Sequence, residues 1–200
     1  MLFGALPPLI VFLSITDNHT MSNKSIRPKL VVFDLDFTVW YPEMYELEGA
    51  PFKKCSMTGK VTDRDNEEVQ MFDDMHEILK ALHTRDEFSD TKVAVASSTT
   101  YPEWARECMR LLHVQDIDVA LERLIHYRQA IYPRNKKVHF NELREASGID
   151  FEDMLFFDNE RYNIREVGEL GVACVYCPDG MSMEHWERGL DAFQQMYPHE

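Results

Sequence analysis

Residues 29–40 read KLVVFDLDFTVW, a stretch from which both a strand and a chemical site can be predicted. Residues 29–34 form an apolar run ending in a carboxylate, which is typical of a buried strand that leads into a functional loop. Asp34 and Asp36 lie two positions apart, so their side chains point the same way in an extended chain. Two carboxylates in one crevice can divide the chemistry, because one can attack while the other carries a proton. The pair alone also fits a strand end that merely caps a turn.

Four further residues give this pair a chemical context. Thr38, early in the turn, and Ser97, at the end of the apolar run KVAVAS, offer hydroxyls suited to phosphoryl oxygens. Lys136 opens a predicted helix, where a cation opposes the helix dipole, which indicates a use such as holding a carboxylate or a phosphate. Asp158 ends the run MLFFD and is a hard oxygen ligand of the kind that Mg²⁺ prefers. Each residue by itself also fits a helix cap or a solvated surface position.

The rest of the chain alternates strand-like runs with helical patterns. Strands are predicted at residues 29–34, 92–96, 154–158 and 172–176, with a short one near 124–127, and helices at 72–84, 100–113, 137–146, 159–170 and 182–196. This alternation predicts an α/β fold, a three-layer Rossmann-like parallel sheet with helices on both faces. Residues 40–70 break the rhythm with prolines and glycines, which indicates a small hairpin-type cap insert. Sites in such folds lie at the carboxyl ends of the strands.

Length and charge restrict the class of protein. Two hundred residues, 44% of them hydrophobic, predict one globular domain. The formal net charge of −14 argues against a nucleic-acid or membrane partner, and we expect a monomer. An acidic protein that handles phosphate must neutralise charge locally, with a metal or a few placed cations. Cys174 and Cys177 form a C-x-x-C inside an apolar run, and we interpret them as core residues rather than zinc ligands.

Residues 1–28 stand apart as a leader. Residues 2–15 are apolar but contain two prolines, so the segment is too short and too broken for a membrane-spanning helix. It lacks a preceding basic residue and a clear cleavage site, which argues against a signal peptide. We interpret the leader as disordered or as an upstream start with Met21 as the working initiator, and we expect a cytoplasmic protein. A secretory or organellar location is the alternative if residues 1–20 are a genuine targeting segment.

Four segments, taken in order, resemble a known family. They are FDLDFTVW, VASST, IYPRNKKVHF and FFDNERYNI, and each ends a predicted strand or opens a predicted helix. The set resembles the haloacid dehalogenase-like superfamily of phosphohydrolases and, more narrowly, its magnesium-dependent phosphatase (acid phosphatase) family. The resemblance covers residues 29–197, which we interpret as one phosphatase domain that includes the cap insert.

This resemblance implies a mechanism. Asp34 would attack phosphorus and form an aspartyl-phosphate. Asp36 would protonate the leaving oxygen and then activate the water that hydrolyses the intermediate. Lys136 would neutralise charge near Asp34, while Thr38 and Ser97 would hydrogen-bond phosphoryl oxygens. These roles agree with the physical demands of phosphoryl transfer, which are mainly positioning and charge stabilisation.

The resemblance also implies that Mg²⁺ is held by Asp34, by the backbone carbonyl of Asp36 and by Asp158. Two positions depart from the family pattern. Ser98 stands where the family often has Arg, and it remains a candidate for substrate binding. Asn159 stands where a second Asp is common; it can still orient a metal-bound water, but it removes a negative charge. We expect weaker metal affinity or altered substrate choice rather than loss of catalysis.

The substrate stays open at this level. A small insert leaves the site accessible, so we expect either small phosphorylated metabolites or phosphotyrosine. Trp40, Tyr41 and Tyr45 are candidates for an aromatic rim around the leaving group, with packing in the core as an equal alternative. A second hypothesis is a catalytically weak binding or scaffold protein that keeps the fold, for which Ser98 and Asn159 are the only support. A phosphomutase would need a larger cap, and a dehalogenase fits the carboxylates less well.

Overall fold

The computed structural model describes residues 26–197, so most of the leader lies outside the described residues. The strands are β1 Leu30–Phe33, β2 Trp40–Tyr41, β3 Lys53–Lys54, β4 Val61–Thr62, β5 Glu68–Met71, β6 Lys92–Val95, β7 His113–Val114, β8 Val119–Ala120, β9 Met154–Asp158 and β10 Ala173–Tyr176. The α-helices are α1 Asp73–Thr84, α2 Pro102–Leu111, α3 Leu121–Leu124, α4 Lys136–Ser147, α5 Arg161–Gly168 and α6 Met183–Gln195. None of these helices is both long and apolar enough to cross a bilayer.

Strand β1 lies inside a four-stranded sheet in which every neighbouring pair is parallel. The strand order is β10-β9-β1-β6. Phe33 pairs with Val95 of β6 on one side and with Phe157 of β9 on the other. Parallel neighbours bring their carboxyl ends to the same edge, so the residues that follow β1, β6 and β9 meet there. The predicted α/β fold with a parallel sheet is confirmed.

Alternate residues of β1 pack into two separate cores. Leu30 and Val32 face the core that α4 and α5 complete, whereas Val31 and Phe33 face the core of α1, α2 and α6. All four side chains are buried. Truncating a fully buried phenylalanine to alanine typically costs about 3–5 kcal/mol. The strand that carries Asp34 is therefore fixed from both faces, which makes the sheet edge a rigid base for a site.

The insert after β1 is a small antiparallel sheet in residues 40–71. Its strand order is β2-β5-β4-β3, and Trp40 pairs with Met71. Gly49 brings the insert against α2, because a Cβ at this position would lie 2.2 Å from the ring of Trp104. Gly49 also has φ +97°, a conformation that favours glycine. The expected hairpin-type cap is thus attached to the main core by a close contact that only glycine permits.

The strand predicted near residues 124–127 is wrong. The chain there leaves α3 and runs beside β6, but it makes an isolated bridge between Ala94 and Tyr127 instead of a strand. The backbone N–H of Val93 donates to the ring Nδ1 of His126 (3.1 Å) rather than to a backbone carbonyl. Tyr127 still bonds to β6 on both sides, because its backbone N–H donates to the Val93 carbonyl (3.2 Å) and its carbonyl accepts from Val95 (3.0 Å), so the contact is one bridge rather than a run of paired residues. Just upstream, β7 and β8 form a hairpin that the sequence pattern did not predict.

Helix α4 begins at Lys136 because the preceding residue caps it. The side chain of Asn135 accepts a hydrogen bond from the backbone N–H of Lys137 (2.7 Å). The helix ends at Ser147 and is capped by Gly148, whose φ of +69° is the left-handed conformation that favours glycine after a helix. The apolar face of α4 packs against the sheet. This packing delivers Lys136 to the carboxyl edge.

Candidate active site

An open cavity of about 240 Å³ lies at the carboxyl edge of the main sheet. Six of the predicted site residues line it: Asp34, Asp36, Ser97, Ser98, Lys136 and Asn159. Its wall also includes Glu43, Tyr45, Thr99, Thr100, Glu160 and Asn163. Thr38 and Asp158 are fully buried and are not part of the wall. A larger groove of about 760 Å³ between the insert and α1 is lined by none of the predicted residues, so chemistry rather than size locates the site.

Lys136 joins two strand ends. Its side chain is 1% exposed, and its Nζ contacts Asp34 Oδ1, donates to the carbonyl oxygen of Ala96 (2.5 Å) and lies 3.3 Å from Asp158 Oδ2. Burial lowers the pKa of this ammonium, but Asp34 and Asp158 outweigh burial and raise the pKa above its ordinary value. Lys136 therefore stays charged and pairs with carboxylates from both β1 and β9.

The Asp34 carboxyl lies buried at the end of β1. Burial raises the pKa of this carboxyl above its usual range, Lys136 lowers it, and Asp158 raises it again, so that the net direction is upward. Protonation would remove the electron pair that a nucleophile needs. An additional cation beside Asp34 is what would hold the group ionised.

Asp36 is held by neutral donors. Its Oδ1 accepts hydrogen bonds from the indole Nε1–H of Trp40 (2.9 Å) and from the backbone N–H of Met44 (3.3 Å). Burial raises the pKa of the Asp36 carboxyl, and these two donors offset the rise only in part. Phe37, directly after Asp36, has φ +52°, a left-handed turn that redirects the chain after β1. A carboxyl with a raised pKa can keep a proton closer to neutral pH, which suits a general acid.

Asp158 is oriented by the start of the segment that follows it. Its Oδ1 accepts a hydrogen bond from the backbone N–H of Glu160 (2.7 Å). The amide of Asn163 donates to both carboxyl oxygens, at 3.1 and 3.0 Å. Sequence reasoning missed Asn163, although its position in the first turn of α5, five residues after the strand-end carboxylate, was a usable signal. These bonds fix the direction in which Asp158 presents its oxygens.

Thr38 connects two loops rather than facing the cavity. Its Oγ1 accepts a hydrogen bond from the backbone N–H of Asn159 (3.2 Å) and lies 3.4 Å from the side-chain Oδ1 of the same residue. The backbone carbonyl of Thr38 accepts from Met181 (3.1 Å). Thr38 thus ties the loop after β1 to the loop after β9.

The two serines after β6 differ in setting. Ser97 is buried at the end of the strand, and its Oγ accepts a weak hydrogen bond from the backbone N–H of Thr99 (3.4 Å). Ser98 is exposed, and its Oγ donates to the carbonyl of Arg134 (2.8 Å) in the loop before α4. Both serines line the cavity, Ser97 from a buried position, and the hydroxyl of Ser98 joins two neighbouring loops.

The donor set fits a hard divalent cation. Asp158 and Asp36 both raise the pKa of the Asp34 carboxyl, and the buried ammonium of Lys136 faces Asp34 and Asp158. All candidate ligands offer oxygen, the donor that Mg²⁺ prefers alongside retained water. Within residues 26–197 no three acidic, histidine or cysteine side chains converge as a ready-made metal cluster. The carbonyl of Asp36 and water molecules would have to complete the shell.

The mouth of the cavity is formed partly by the insert. Tyr45 is 64% exposed and lines the cavity beside Glu43. Trp40 is fully buried, and Tyr41 packs on Phe72 with ring centroids 4.9 Å apart. Of the three aromatic residues considered for a rim, Tyr45 is therefore the one placed to meet a leaving group.

Comparisons with known proteins agree with this geometry. A family model described as Acid Phosphatase matches residues 26–196. The human protein Magnesium-dependent phosphatase 1 is 37% identical over 166 residues, which are 83% of this chain and 87% of the human protein. A HAD-like hydrolase superfamily protein from Schizosaccharomyces pombe is 36% identical over 148 residues, 72% of this chain and 83% of its own length. A HAD family enzyme from Bacteroides thetaiotaomicron, solved as a magnesium complex, has a TM-score of 0.56 at 14% identity, covering 82% of this chain and 99% of that one.

The family match spans most of the chain, and two relatives each share more than a third of the aligned residues. The cofactor predicted from the hard oxygen ligands, Mg²⁺, agrees with the description of the human relative. The chain therefore belongs to the acid phosphatase family, among the magnesium-dependent phosphatases of the haloacid dehalogenase-like superfamily.

Proposed function

We propose that this phosphatase hydrolyses phosphate monoesters in two steps, through an aspartyl-phosphate formed on Asp34. The observation that carries the proposal is the buried contact of Lys136 with Asp34, next to a second carboxyl, Asp36, that is held by neutral donors. One carboxyl is paired with a cation and the other can take a proton. That is the division of labour that nucleophilic attack and proton transfer require.

In the first step Asp34 attacks phosphorus. Its Oδ1 contacts Lys136, so Oδ2 is the oxygen that forms the new bond. The bond between phosphorus and the leaving oxygen breaks, and Asp36 gives that oxygen its proton. Lys136 and the Ser97 hydroxyl line the cavity where the phosphoryl oxygens would lie, and both stabilise the charge that spreads over them.

In the second step Asp36, now ionised, takes a proton from a water molecule. The water oxygen attacks phosphorus, the bond to Asp34 breaks, and inorganic phosphate leaves. Both carboxyls then return to their starting states. The N–H groups of Trp40 and Met44 stabilise Asp36 while it is ionised between the two steps.

Asp34, the backbone carbonyl of Asp36 and Asp158 are the groups that would hold Mg²⁺, and Asn159 would orient a water bound to it. When bound, the ion supplies the positive charge that offsets repulsion between Asp34 and a dianionic substrate, since two like charges about 4 Å apart repel by about 4 kcal/mol at an effective dielectric of 20. Asn163 supports this role because its amide already orients both oxygens of Asp158.

We extend the proposal to two substrate classes, small phosphorylated metabolites and accessible phosphotyrosine. The cavity is open, and the insert contributes a short helical turn, Met44–Glu46, to its mouth. Tyr45 on this turn offers an exposed ring on which a leaving group can pack. An open mouth selects weakly by size, which supports a broad range of small esters.

The test is hydrolysis of p-nitrophenyl phosphate with and without Mg²⁺, for the wild type, Asp34→Asn and a matched control, Asp90→Asn. Asp90 is an exposed aspartate outside the cavity wall. We expect Mg²⁺-dependent turnover that is abolished by Asp34→Asn and retained by Asp90→Asn. Turnover that survives Asp34→Asn would reject the nucleophile. Absence of turnover by folded wild type supplied with Mg²⁺ would favour the binding or scaffold hypothesis.

A further inference from the structure

We propose that Trp40 is a positioning residue for catalysis: its indole N–H holds Oδ1 of Asp36 so that the proton transferred to the leaving oxygen is carried on Oδ2. The inference rests on the proposed function of Asp36 as general acid. It assigns a role to a residue that the sequence pattern suggested for a leaving-group rim or for the core.

The geometry around Asp36 separates its two oxygens. Oδ1 accepts both the indole N–H of Trp40 (2.9 Å) and the backbone N–H of Met44 (3.3 Å). An oxygen that accepts two N–H donors is a poor place for a proton, because the proton would meet the donor hydrogens. Oδ2 is therefore the protonated oxygen of the acid. Since Asp36 lines the cavity, fixing Oδ1 also fixes the direction in which the carboxyl presents its proton.

The indole is suited to this task because it is buried in a packed position and can only donate a hydrogen bond. Trp40 is fully buried, and its backbone pairs with Met71 in the insert sheet. A tight turn also links it to the aspartates: the backbone N–H of Phe37 donates to the Trp40 carbonyl (2.9 Å). An indole N–H is a donor only, so it can bind a lone pair of Asp36 but can never receive the catalytic proton.

The two N–H donors to Asp36 come from the first residues of the insert, while the hydroxyl of Thr99, on the cavity wall after β6, also interacts with this carboxyl. Trp40 begins its first strand, and Met44 begins the helical turn that carries Tyr45 at the mouth of the cavity. The insert thus borders the substrate and also orients the acid that must reach the leaving oxygen. Any segment that only covered the site would have no need of a buried donor to Asp36.

The test compares leaving groups of different basicity. Proton donation matters little for p-nitrophenolate and much for a poor leaving group such as the alkoxide of an alkyl phosphate. Trp40→Phe keeps most of the ring and removes the N–H. We expect kcat/KM to fall about tenfold more for an alkyl phosphate than for p-nitrophenyl phosphate, a part of the 10²–10⁴-fold effect typical of general acids. Asp36→Asn should show the same dependence, and adding Trp40→Phe to it should cause little further loss.

The matched control is Trp186→Phe, because Trp186 is also a buried indole but packs on Phe157 and Phe88. It should change kcat/KM for both substrates by the same factor. A uniform loss for Trp40→Phe, equal for the two leaving groups, would overturn the inference and leave the proposed function intact. A wild type that hydrolyses neither substrate would overturn both.

A second measurement covers the case in which Trp40→Phe does not fold. The indole N–H signal of Trp40 in ¹⁵N-labelled wild type should be shifted and slow to exchange, as expected for a buried hydrogen bond to a carboxylate. It should move in Asp36→Ala and stay in place in Asp90→Asn. An indole signal that is unaffected by Asp36→Ala would contradict the proposed contact.

Discussion

Asp34 and Asp36 are two residues apart, yet different regions of the molecule hold them. On the sheet side, Asp34 contacts the ammonium of Lys136, which α4 delivers to the carboxyl edge. On the insert side, Asp36 accepts N–H groups from Trp40 and Met44. Burial raises the pKa of both carboxyls; Lys136 opposes the rise at Asp34 without cancelling it, whereas mainly neutral donors oppose it at Asp36, so Asp34 is the carboxyl that an added cation would keep ionised. The difference shows how one loop can carry a nucleophile and an acid side by side.

Removing the cation from the sheet side should have the largest effect. Lys136→Gln is expected to lower kcat by about 10²–10³-fold, because it removes a charge aimed at the phosphoryl oxygens. The matched control is Lys137→Gln, whose ammonium pairs with Glu169 at the surface. Solvent screens an exposed pair of this kind, so this variant should stay near the wild-type rate. Steady-state rates measure both, and equal losses would argue against a special role for Lys136.

Loosening Asp158 should weaken Mg²⁺ binding. Asn163→Ala removes the amide that contacts both carboxyl oxygens, and loss of such a supporting contact typically lowers metal affinity about 10–100-fold. Titration calorimetry with Mg²⁺ alone, without substrate, measures the change. Asn141→Ala is the control, since its amide bonds to a backbone carbonyl on the surface of α4. Unchanged affinity in Asn163→Ala would mean that Asp158 is held by other contacts or does not bind the ion.

Substitution of Thr38 tests whether the hydroxyl that follows the two aspartates binds substrate. Because its Oγ1 accepts from the backbone N–H of Asn159 in a buried position, Thr38→Val should cost about 1–3 kcal/mol of stability. If Thr38 only joins the two loops, Thr38→Val should lower the melting temperature and leave the KM for substrate near the wild-type value. Thr38→Ser keeps the hydroxyl and should restore stability. A large rise in KM with an unchanged melting temperature would instead support direct phosphoryl binding.

The smallest effect concerns pH and lies away from the carboxylates. His139 is buried in α4, with Nε2 3.1 Å from the carbonyl of Tyr132, and burial lowers its pKa from 6.5 to about 4. Between these values the unfolded chain binds more protons, so stability falls as the pH falls through that window. His139→Gln should reduce the drop in melting temperature between about pH 7 and pH 5. His83→Gln, at an exposed position, should leave the drop unchanged.

The sheet and its edge were predictable because their signals are local. Apolar runs that end in Asp34 and Asp158 mark buried strands and their carboxyl ends, and parallel topology brings those ends together. The chain after α2 was not predictable in the same way. His126 replaces a backbone acceptor with a ring nitrogen beside β6, and a sequence pattern does not show which partner a backbone N–H will choose.

The contacts that hold the site residues in position were the hardest feature to predict from the sequence. Lys136 stood out as a cation at a helix start, but its contact with both Asp34 and Asp158 depends on the crossing of α4 over the sheet. The sequence did not predict whether Trp40 lies in the core or at the rim of the site, because the turn at Phe37 is what brings its indole back to Asp36. Sequence spacing therefore predicts which groups would react, and the tertiary contacts show which groups hold them in place.

Mass spectrometry of the acid-quenched enzyme during turnover of p-nitrophenyl phosphate addresses the nucleophile directly. We expect a phosphorylated peptide that carries the modification on Asp34 and that is absent in Asp34→Asn. The modified peptide should accumulate in Asp36→Asn, because hydrolysis of the intermediate needs the base. Steady Mg²⁺-dependent turnover with phosphate on another residue, or with Asp34 never modified in either the wild type or Asp36→Asn, would contradict the assignment of Asp34 as the nucleophile.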